Sequence, residues 1–155
     1  MLAAVNGLQL ASLERALGGV STPETQVGGY DVEYVELVQS RMTDELLERY
    51  GASHYLWDLL FPLVFAATLI VLIFHLGAGR KRRYLLILGP VLFAVVDIAE
   101  NITLEFLITS PDIAPDIVSL ASALTIAKTV LLGVSLLCAL LALLIRPVET
   151  RRSTA

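Results

Sequence analysis

Two apolar segments decide the fold of this chain, and each carries charged residues near its middle. Residues 84–108 read YLLILGPVLFAVVDIAENITLEFLI, and residues 116–145 read DIVSLASALTIAKTVLLGVSLLCALLALLI. Each segment supplies the roughly 20 residues with which an α-helix crosses a bilayer. Because hydrocarbon is a poor solvent for charge, Asp97, Glu100 and Lys128 need partners or a function. The two segments therefore predict neighbouring membrane helices with a polar centre.

Composition and a third apolar run extend this prediction to the whole fold. Hydrophobic residues make up 56% of the 155 residues, and the mean hydropathy of +0.75 is above that of soluble proteins. We predict an all-α integral membrane protein with a small antiparallel bundle of three transmembrane helices, at about 56–76, 84–108 and 116–145. The N-terminal segment could add a fourth helix. Gly89-Pro90 predicts a kink in the second span, because proline cannot donate a helical hydrogen bond.

Residues 1–55 predict a membrane-associated region that precedes the transmembrane domain. Residues 1–20 are mildly apolar and predict a short helix that ends at Gly18-Gly19. Apolar residues recur at helical spacing over residues 31–50, which predicts an amphipathic helix on the outer side. Thr43-Asp44-Glu45 could instead begin a second short helix. The apolar stripe must rest either on the membrane surface or on the mouth of the bundle.

The charges between the predicted spans indicate the orientation of the protein in the cell membrane. Residues 80–83 read Arg-Lys-Arg-Arg, and further arginines follow the third span. By the positive-inside rule, this loop and the C-terminal tail, residues 147–155, are cytoplasmic. Residues 21–55 and the acidic connection at 109–115 then lie on the outer side. The sequence therefore predicts a multi-pass protein whose transmembrane domain covers residues 56–146.

The charged residues of the two central spans are predicted to meet. Asp97, Glu100 and Asn101 have the spacing that places side chains on one face of a helix. With a rise of ~1.5 Å per residue, antiparallel neighbours put Lys128 level with Asp97. By the same reasoning, Glu100 lies near the level of Thr125. The predicted buried charge cluster comprises Asp97, Glu100, Asn101, Lys128 and Thr125, with Asp58 at its outer rim.

Four members of this cluster have a predicted role. Asp97 and Glu100 would exchange protons or accept a ligand, Lys128 would be their counter-charge, and Asn101 would orient them by hydrogen bonding. Because two carboxylates face one ammonium, one negative charge of the predicted cluster is not balanced by Lys128. A structural interpretation stands beside the functional one, since polar side chains can hold membrane helices together at about 0.6–2 kcal/mol per hydrogen bond.

Several classes of function are excluded or disfavoured by the sequence. The single cysteine, Cys138, excludes a disulfide within the chain and the membrane redox families that need paired cysteines. The two histidines form no metal-ligand pattern with the carboxylates, so we expect no metal ion. No phosphate-binding loop or catalytic triad pattern is present, and we expect no cofactor. Nucleic acid is not an expected partner, because no basic stripe with interleaved aromatic residues occurs.

Three functions are compatible with these observations. The first is proton, ion or small-ligand handling at the buried cluster by a small membrane protein, as a homo-oligomer or within a larger membrane complex. The second is a lipid-modifying enzyme of the isomerase type, whose carboxylates act as acid and base. The general plan predicted for this chain, a small helical bundle with carboxylates in the core, is similar to that of the emopamil-binding family of sterol isomerases. The third is a non-catalytic subunit or assembly factor that docks through residues 31–50.

Overall fold

The computed structural model describes residues 2–53, 58–76 and 80–145, and these ranges contain helices and no strand. The N-terminal region consists of α1 (Leu2–Ala16), a short 3₁₀ helix (Pro23–Thr25), α2 (Val32–Arg41) and α3 (Asp44–Ser53). The rest of the chain consists of α4 (Leu59–His75), α5 (Arg80–Leu86), α6 (Leu88–Thr109) and α7 (Pro115–Leu144). The all-helical fold class is therefore confirmed.

An antiparallel pair, α6 and α7, forms the centre of the bundle, and α4 packs against both. Lys81–Thr109 and Pro115–Leu144 are each long and apolar enough to cross a membrane, in agreement with the second and third predicted spans. The apolar helix α4, with 17 residues, is shorter than the predicted first span. Part of that span, residues 56 and 57, lies outside the described residues, as does the predicted tail at 147–155.

Near Gly89-Pro90, where the sequence predicts a kink, the helix is interrupted at Ile87. The helix α5 ends at Leu86 and α6 begins at Leu88. Pro90 has no N–H group to donate to the carbonyl of Leu86, so the helical hydrogen bonding is broken one turn before the proline. This places the interruption close to the basic residues of α5.

The amphipathic segment forms two helices instead of one helix over residues 31–50. The carboxylate of Asp31 accepts a hydrogen bond from the N–H of Tyr34 (2.9 Å) and caps α2. The chain is extended at Met42, and the hydroxyl of Thr43 then accepts from the N–H of Leu46 (3.3 Å) at the start of α3. The side chains of Asp31 and Thr43 therefore define two helix starts, which explains the break.

The apolar stripe of α2 rests on the mouth of the bundle. Val35 is fully buried among apolar side chains of α6 and α7, and Val38 packs in a cluster with Ile108. The side-chain amide of Gln39 donates to the backbone carbonyl of Leu107 (2.9 Å) near the end of α6. The N-terminal region therefore covers the same end of the bundle as the acidic connection at residues 109–115.

A close backbone approach fixes the segment between α1 and α2 against α7. Gly29 has φ +85°, and a Cβ atom there would lie 2.7 Å from the hydroxyl oxygen of Ser122 and 3.0 Å from Cδ1 of Ile126. The N–H of Tyr30 donates to the same Ser122 oxygen (2.9 Å). Only glycine combines this conformation with this contact. The approach holds the 3₁₀ helix over the N-terminal half of α7.

The bundle thus has two halves of different chemistry. We define the covered half as residues 97–109 of α6 and 115–129 of α7, together with the N-terminal region packed on them. The basic half comprises residues 62–76, 80–94 and 133–145. Its core is a cluster of Ile73, Leu76 and Ala142 with Leu86, Ile87 and Cys138 packed against it. The polar residues predicted to form a site lie in or beside the covered half.

Candidate functional site

A buried ion pair joins α6 and α7 where the covered half borders the basic half. The ammonium of Lys128 contacts Oε2 of Glu100 and lies 3.8 Å from Oδ1 of Asp97. Glu100 is 0% exposed and Asp97 is 7% exposed. The hydroxyl of Thr125 donates to the other carboxylate oxygen of Glu100 (2.6 Å). As predicted, Lys128 is within ion-pair distance of Asp97 and Thr125 contacts Glu100, but the acid closest to Lys128 is Glu100.

Asn101 links this ion pair to the start of α4. Its side-chain amide donates to Oδ2 of Asp97 (3.3 Å) and to the backbone carbonyl of Asp58 (3.0 Å). The first bond has the geometry that the predicted orienting role requires. The second ties α6 to α4 through the backbone of Asp58, whose side chain is also buried. Asp58 thus closes one side of the site.

A cavity of about 170 Å³ opens beside Lys128. Its lining combines acidic, amide, ammonium and hydroxyl groups with aromatic and aliphatic ones: Glu24, Asp58, Asp97, Asn101, Lys128, Thr129, Leu10, Phe61, Phe93 and Leu132. Four of the six predicted site residues lie on this cavity. The other two, Glu100 and Thr125, are buried away from it and contact Lys128 or its partner.

Glu24 is a site residue that the sequence analysis missed. It belongs to the 3₁₀ helix, which the sequence indicated only as a loop, and it reaches the cavity from the N-terminal region. Its Oε2 accepts a hydrogen bond from the hydroxyl of Tyr50 (3.3 Å), and its Oε1 is inaccessible to solvent. Burial raises the pKa of the Glu24 carboxyl above its ordinary value, although the Lys128 charge and the Thr22 and Tyr50 hydroxyls oppose the shift.

Two tyrosines of the N-terminal region lie close to the buried acids. Burial raises the pKa of Tyr30 to about 12, and the nearby charges of Glu100 and Glu24 act in the same direction. Burial and the charge of Glu24 raise the pKa of Tyr50 well above its ordinary value. Both phenols are therefore neutral hydrogen-bonding groups at any physiological pH. No periodicity or motif in the sequence marked Glu24 or Tyr30, because their position depends on the path of the chain between α1 and α2.

Polar side chains do not continue from the cavity to the basic end within the described residues. Beyond Thr129, the buried hydroxyl of Ser135 donates to the carbonyl of Leu131 (2.6 Å) on its own helix. The remaining core toward the basic end is formed by apolar residues such as Ile73 and Ala142. The polar groups of the site therefore lead only toward the covered end.

The acids of the site are not arranged as metal ligands. Among the residues that the structure describes, no group of three or more His, Cys, Asp or Glu side chains could hold a metal ion. The Glu100 carboxylate is already engaged by Lys128 and Thr125. Comparison with family models, with curated proteins and with solved structures finds no match to this chain. Function therefore has to be inferred from the chemistry of the cavity and its surroundings.

Proposed function

We propose that this chain is an integral membrane protein that binds a small ligand in the cavity beside Lys128. In this proposal α4, the α5–α6 pair and α7 cross the bilayer, and the ligand enters from the covered end. The single observation that carries the binding function is the 170 Å³ cavity, in which convergent polar groups meet an apolar wall. The alternative of structural adhesion accounts for the Lys128–Glu100 contact but not for an open space beside it.

Membrane insertion is supported by the exposure of the long apolar helices. In the most apolar stretch of α7, only 17% of the residues are buried, against 33% in that of Lys81–Thr109. The core helix of a soluble protein would be mostly buried. Here Val130, Leu137 and Leu144 are 59%, 59% and 71% exposed. Soluble monomers rarely expose apolar patches of this extent, so lipid is the surrounding that these surfaces fit.

Charge distribution supports one orientation for the inserted protein. No Asp or Glu occurs between residues 59 and 96 or between residues 117 and 145, whereas residues 80–83 are all basic. The exposed acidic residues of α2 and α3 lie at the opposite end. By the positive-inside rule, the basic end is cytoplasmic and the covered end is outside the cell membrane. The cavity would then take its ligand from the outer side.

The apolar core of the basic half favours binding over transport. A proton or ion that crosses a bundle needs a sequence of polar groups or water, and bare charge in an apolar core is unfavourable. The described side chains between Thr129 and the basic end supply no such sequence. The cavity volume also disfavours the lipid-isomerase alternative, because pockets that enclose larger ligands measure about 300–1,000 Å³. A small, one-sided binding site is the function that these observations favour.

Purified protein in detergent, with the variants Asp97→Asn and Lys128→Met, tests this proposal. Native mass spectrometry of wild-type protein released from membranes is expected to show a bound small molecule that raises the unfolding temperature. Asp97→Asn keeps the shape of the side chain, so it is expected to insert and fold but to lose the molecule. Lys81→Met, at the exposed basic end, is the control and is expected to retain it. If Asp97→Asn and Lys128→Met both fail to insert or fold, structural adhesion is the better account.

A further inference from the structure

We propose that the basic end of the bundle binds an anionic phospholipid, with the phosphate at Lys81 and Arg82 and an acyl chain along the exposed face of α5 and α6. This inference rests on the proposed membrane insertion and orientation, but not on the ligand of the cavity. The positions of basic and apolar side chains around the start of α5 carry it.

Positive charge is concentrated at this end of the apolar segments. Residues 80–83 are all basic, and residues 146–152 add three arginines and one acid, Glu149. In the proposed orientation both segments lie at the cytoplasmic surface of the membrane. Clusters of Lys and Arg at that surface attract anionic lipid head groups. The charge of this end is therefore complementary to an anionic phospholipid.

The packing of α5 leaves two of its basic side chains on the surface. Leu86 packs against the apolar core of the basic half, and the Arg83 guanidinium lies over the Phe74 ring of α4 (4.9 Å). Lys81 and Arg82 are exposed. One side of α5 is thus attached to the bundle, while the ammonium of Lys81 and the guanidinium of Arg82 can donate hydrogen bonds to a phosphate group.

An exposed apolar stripe begins beside these basic residues and continues along α6. Its members follow Lys81 at intervals of three or four positions, the spacing of one helix face: Leu85, Leu88, Leu92 and Val95. They are 69%, 50%, 48% and 59% exposed, in that order. At a rise of ~1.5 Å per residue, the stripe reaches Leu92 about 16 Å from Lys81, which is close to half of a ~30 Å hydrocarbon core. It therefore matches an acyl chain of one leaflet whose head group lies at Lys81.

A role in orientation alone is the competing explanation for the basic residues. The positive-inside rule requires Lys and Arg near the ends of membrane helices, but no particular lipid. It predicts that the purified protein responds equally to zwitterionic and anionic phospholipids. The exposed stripe next to Lys81 and Arg82 instead favours a contact that includes both the head group and the acyl chain.

Two phospholipids with the same acyl chains test the head-group contact. Full-length protein in detergent is heated with increasing amounts of dioleoylphosphatidylglycerol or dioleoylphosphatidylcholine, and with glycerophosphate as a head group without chains. We expect the anionic phospholipid alone to raise the unfolding temperature in a saturable way. The double variant Lys81→Gln/Arg82→Gln is expected to weaken its apparent affinity about tenfold or more. The matched control Arg15→Gln, which removes an exposed basic residue of α1, is expected to leave the affinity unchanged.

A substitution in the stripe tests the acyl-chain contact. Leu85→Ala removes apolar surface beside Lys81 and is expected to weaken the apparent affinity about threefold or more. Ile102→Ala is the matched control, because Ile102 is 65% exposed on α6 but lies in the covered half. An unchanged affinity in Leu85→Ala would overturn the assignment of the chain to this face.

The outcomes separate this inference from the proposed function. Equal stabilisation by the two phospholipids, or wild-type affinity in the double variant, would overturn the inference. Stabilisation by glycerophosphate equal to that by the anionic phospholipid would replace the lipid with a soluble phosphate compound and also overturn it. If no lipid response occurs while the cavity retains its molecule on purification, this inference alone fails. Protein that stays folded and soluble without detergent would remove the membrane insertion on which both proposals depend.

Discussion

The covered and basic halves of the bundle are built from the same helices but are held together by different contacts. In the covered half, α6 and α7 meet through Lys128, Asp97 and Glu100. In the basic half, they meet through small and apolar residues, with the backbone of Ser135 and the sulfur of Cys138 close to Gly89. The N-terminal region packs on the half that contains these charges.

This difference shows how the polar residues of the covered half are accommodated. Val35 packs against α6 and α7 at the covered end, and Glu24 and Tyr50 extend the polar contacts beyond the bundle helices. The basic half needs no such cover, because its core offers apolar surfaces that pack directly. Its charges lie at the end of the helices, where Lys81 and Arg82 are exposed and the Arg83 guanidinium lies over the ring of Phe74 (4.9 Å). Amino-acid substitutions in one half at a time test this comparison.

The largest expected effect is the loss of the buried counter-charge in Lys128→Met. Glu100 is 0% exposed, so the variant leaves a buried carboxylate without its cation. We expect the free energy of unfolding in detergent to fall by about 3–5 kcal/mol. Lys81→Met in the basic half removes an exposed lysine and is expected to change it by less than about 0.5 kcal/mol. Equal losses in the two variants would contradict the division of the bundle into two halves.

A double variant sharpens this result. Combining Lys128→Met with Glu100→Gln removes both members of the closest pair and leaves the amide able to accept from Thr125. The double variant is expected to be more stable than the sum of the single losses predicts, with a coupling energy of about 0.5–3 kcal/mol. A double-mutant cycle based on unfolding in detergent measures this quantity. Strict additivity would mean that Lys128 and Glu100 do not act as a pair.

An intermediate effect is expected where the N-terminal region meets α7. At Gly29 the φ of +85° and the 2.7 Å approach to the Ser122 oxygen leave no room for a Cβ atom. Gly29→Ala is expected to lower the free energy of unfolding by about 1–3 kcal/mol. Gly28→Ala is a matched control, since nothing lies within 4 Å of its added Cβ and its φ is not positive. A loss in Gly28→Ala as large as that in Gly29→Ala would remove the close approach as the cause.

The smallest expected effect is a difference in pH dependence between wild-type protein and Glu24→Gln. Burial raises the pKa of the Glu24 carboxyl above its ordinary value of 4.5, so the folded protein holds this proton more tightly than the unfolded chain does. The contribution of Glu24 to the free energy of unfolding therefore falls as the pH rises from 4.5 through the raised pKa. Glu24→Gln is expected to flatten this decline in unfolding curves, whereas Glu33→Gln keeps it. A steeper decline in Glu24→Gln would contradict the raised pKa of the Glu24 carboxyl.

Much of the fold and the centre of the site could be predicted because both depend on local periodicity. The apolar lengths of α6 and α7 and the i, i+3 and i+4 spacing of Asp97, Glu100 and Asn101 are properties of neighbouring residues. The antiparallel order of the two helices then determines which residues lie at the same depth. For this reason, Lys128 and Asp97 could be paired from the sequence, and Thr125 could be matched to Glu100.

The contribution of the N-terminal region could not be predicted in the same way. The acidic Pro23-Glu24-Thr25 turn has no periodicity, and its place over the cavity depends on contacts with residues almost a hundred positions later, such as the Tyr30–Ser122 hydrogen bond. The resting place of α2 was also open, because an apolar stripe fits a membrane surface and a bundle mouth equally well. The structure places Val35 on the bundle.

The sequence by itself determined the helical class, the long apolar helices and the depth at which their charges meet, because hydrophobic length and helical spacing act over short distances along the chain. Only the tertiary structure decided that Glu24 joins Asp58 and Asp97 around a cavity, while Glu100 is buried behind Lys128. That division depends on the packing of segments distant in sequence, among them the close approach of Gly29 to α7.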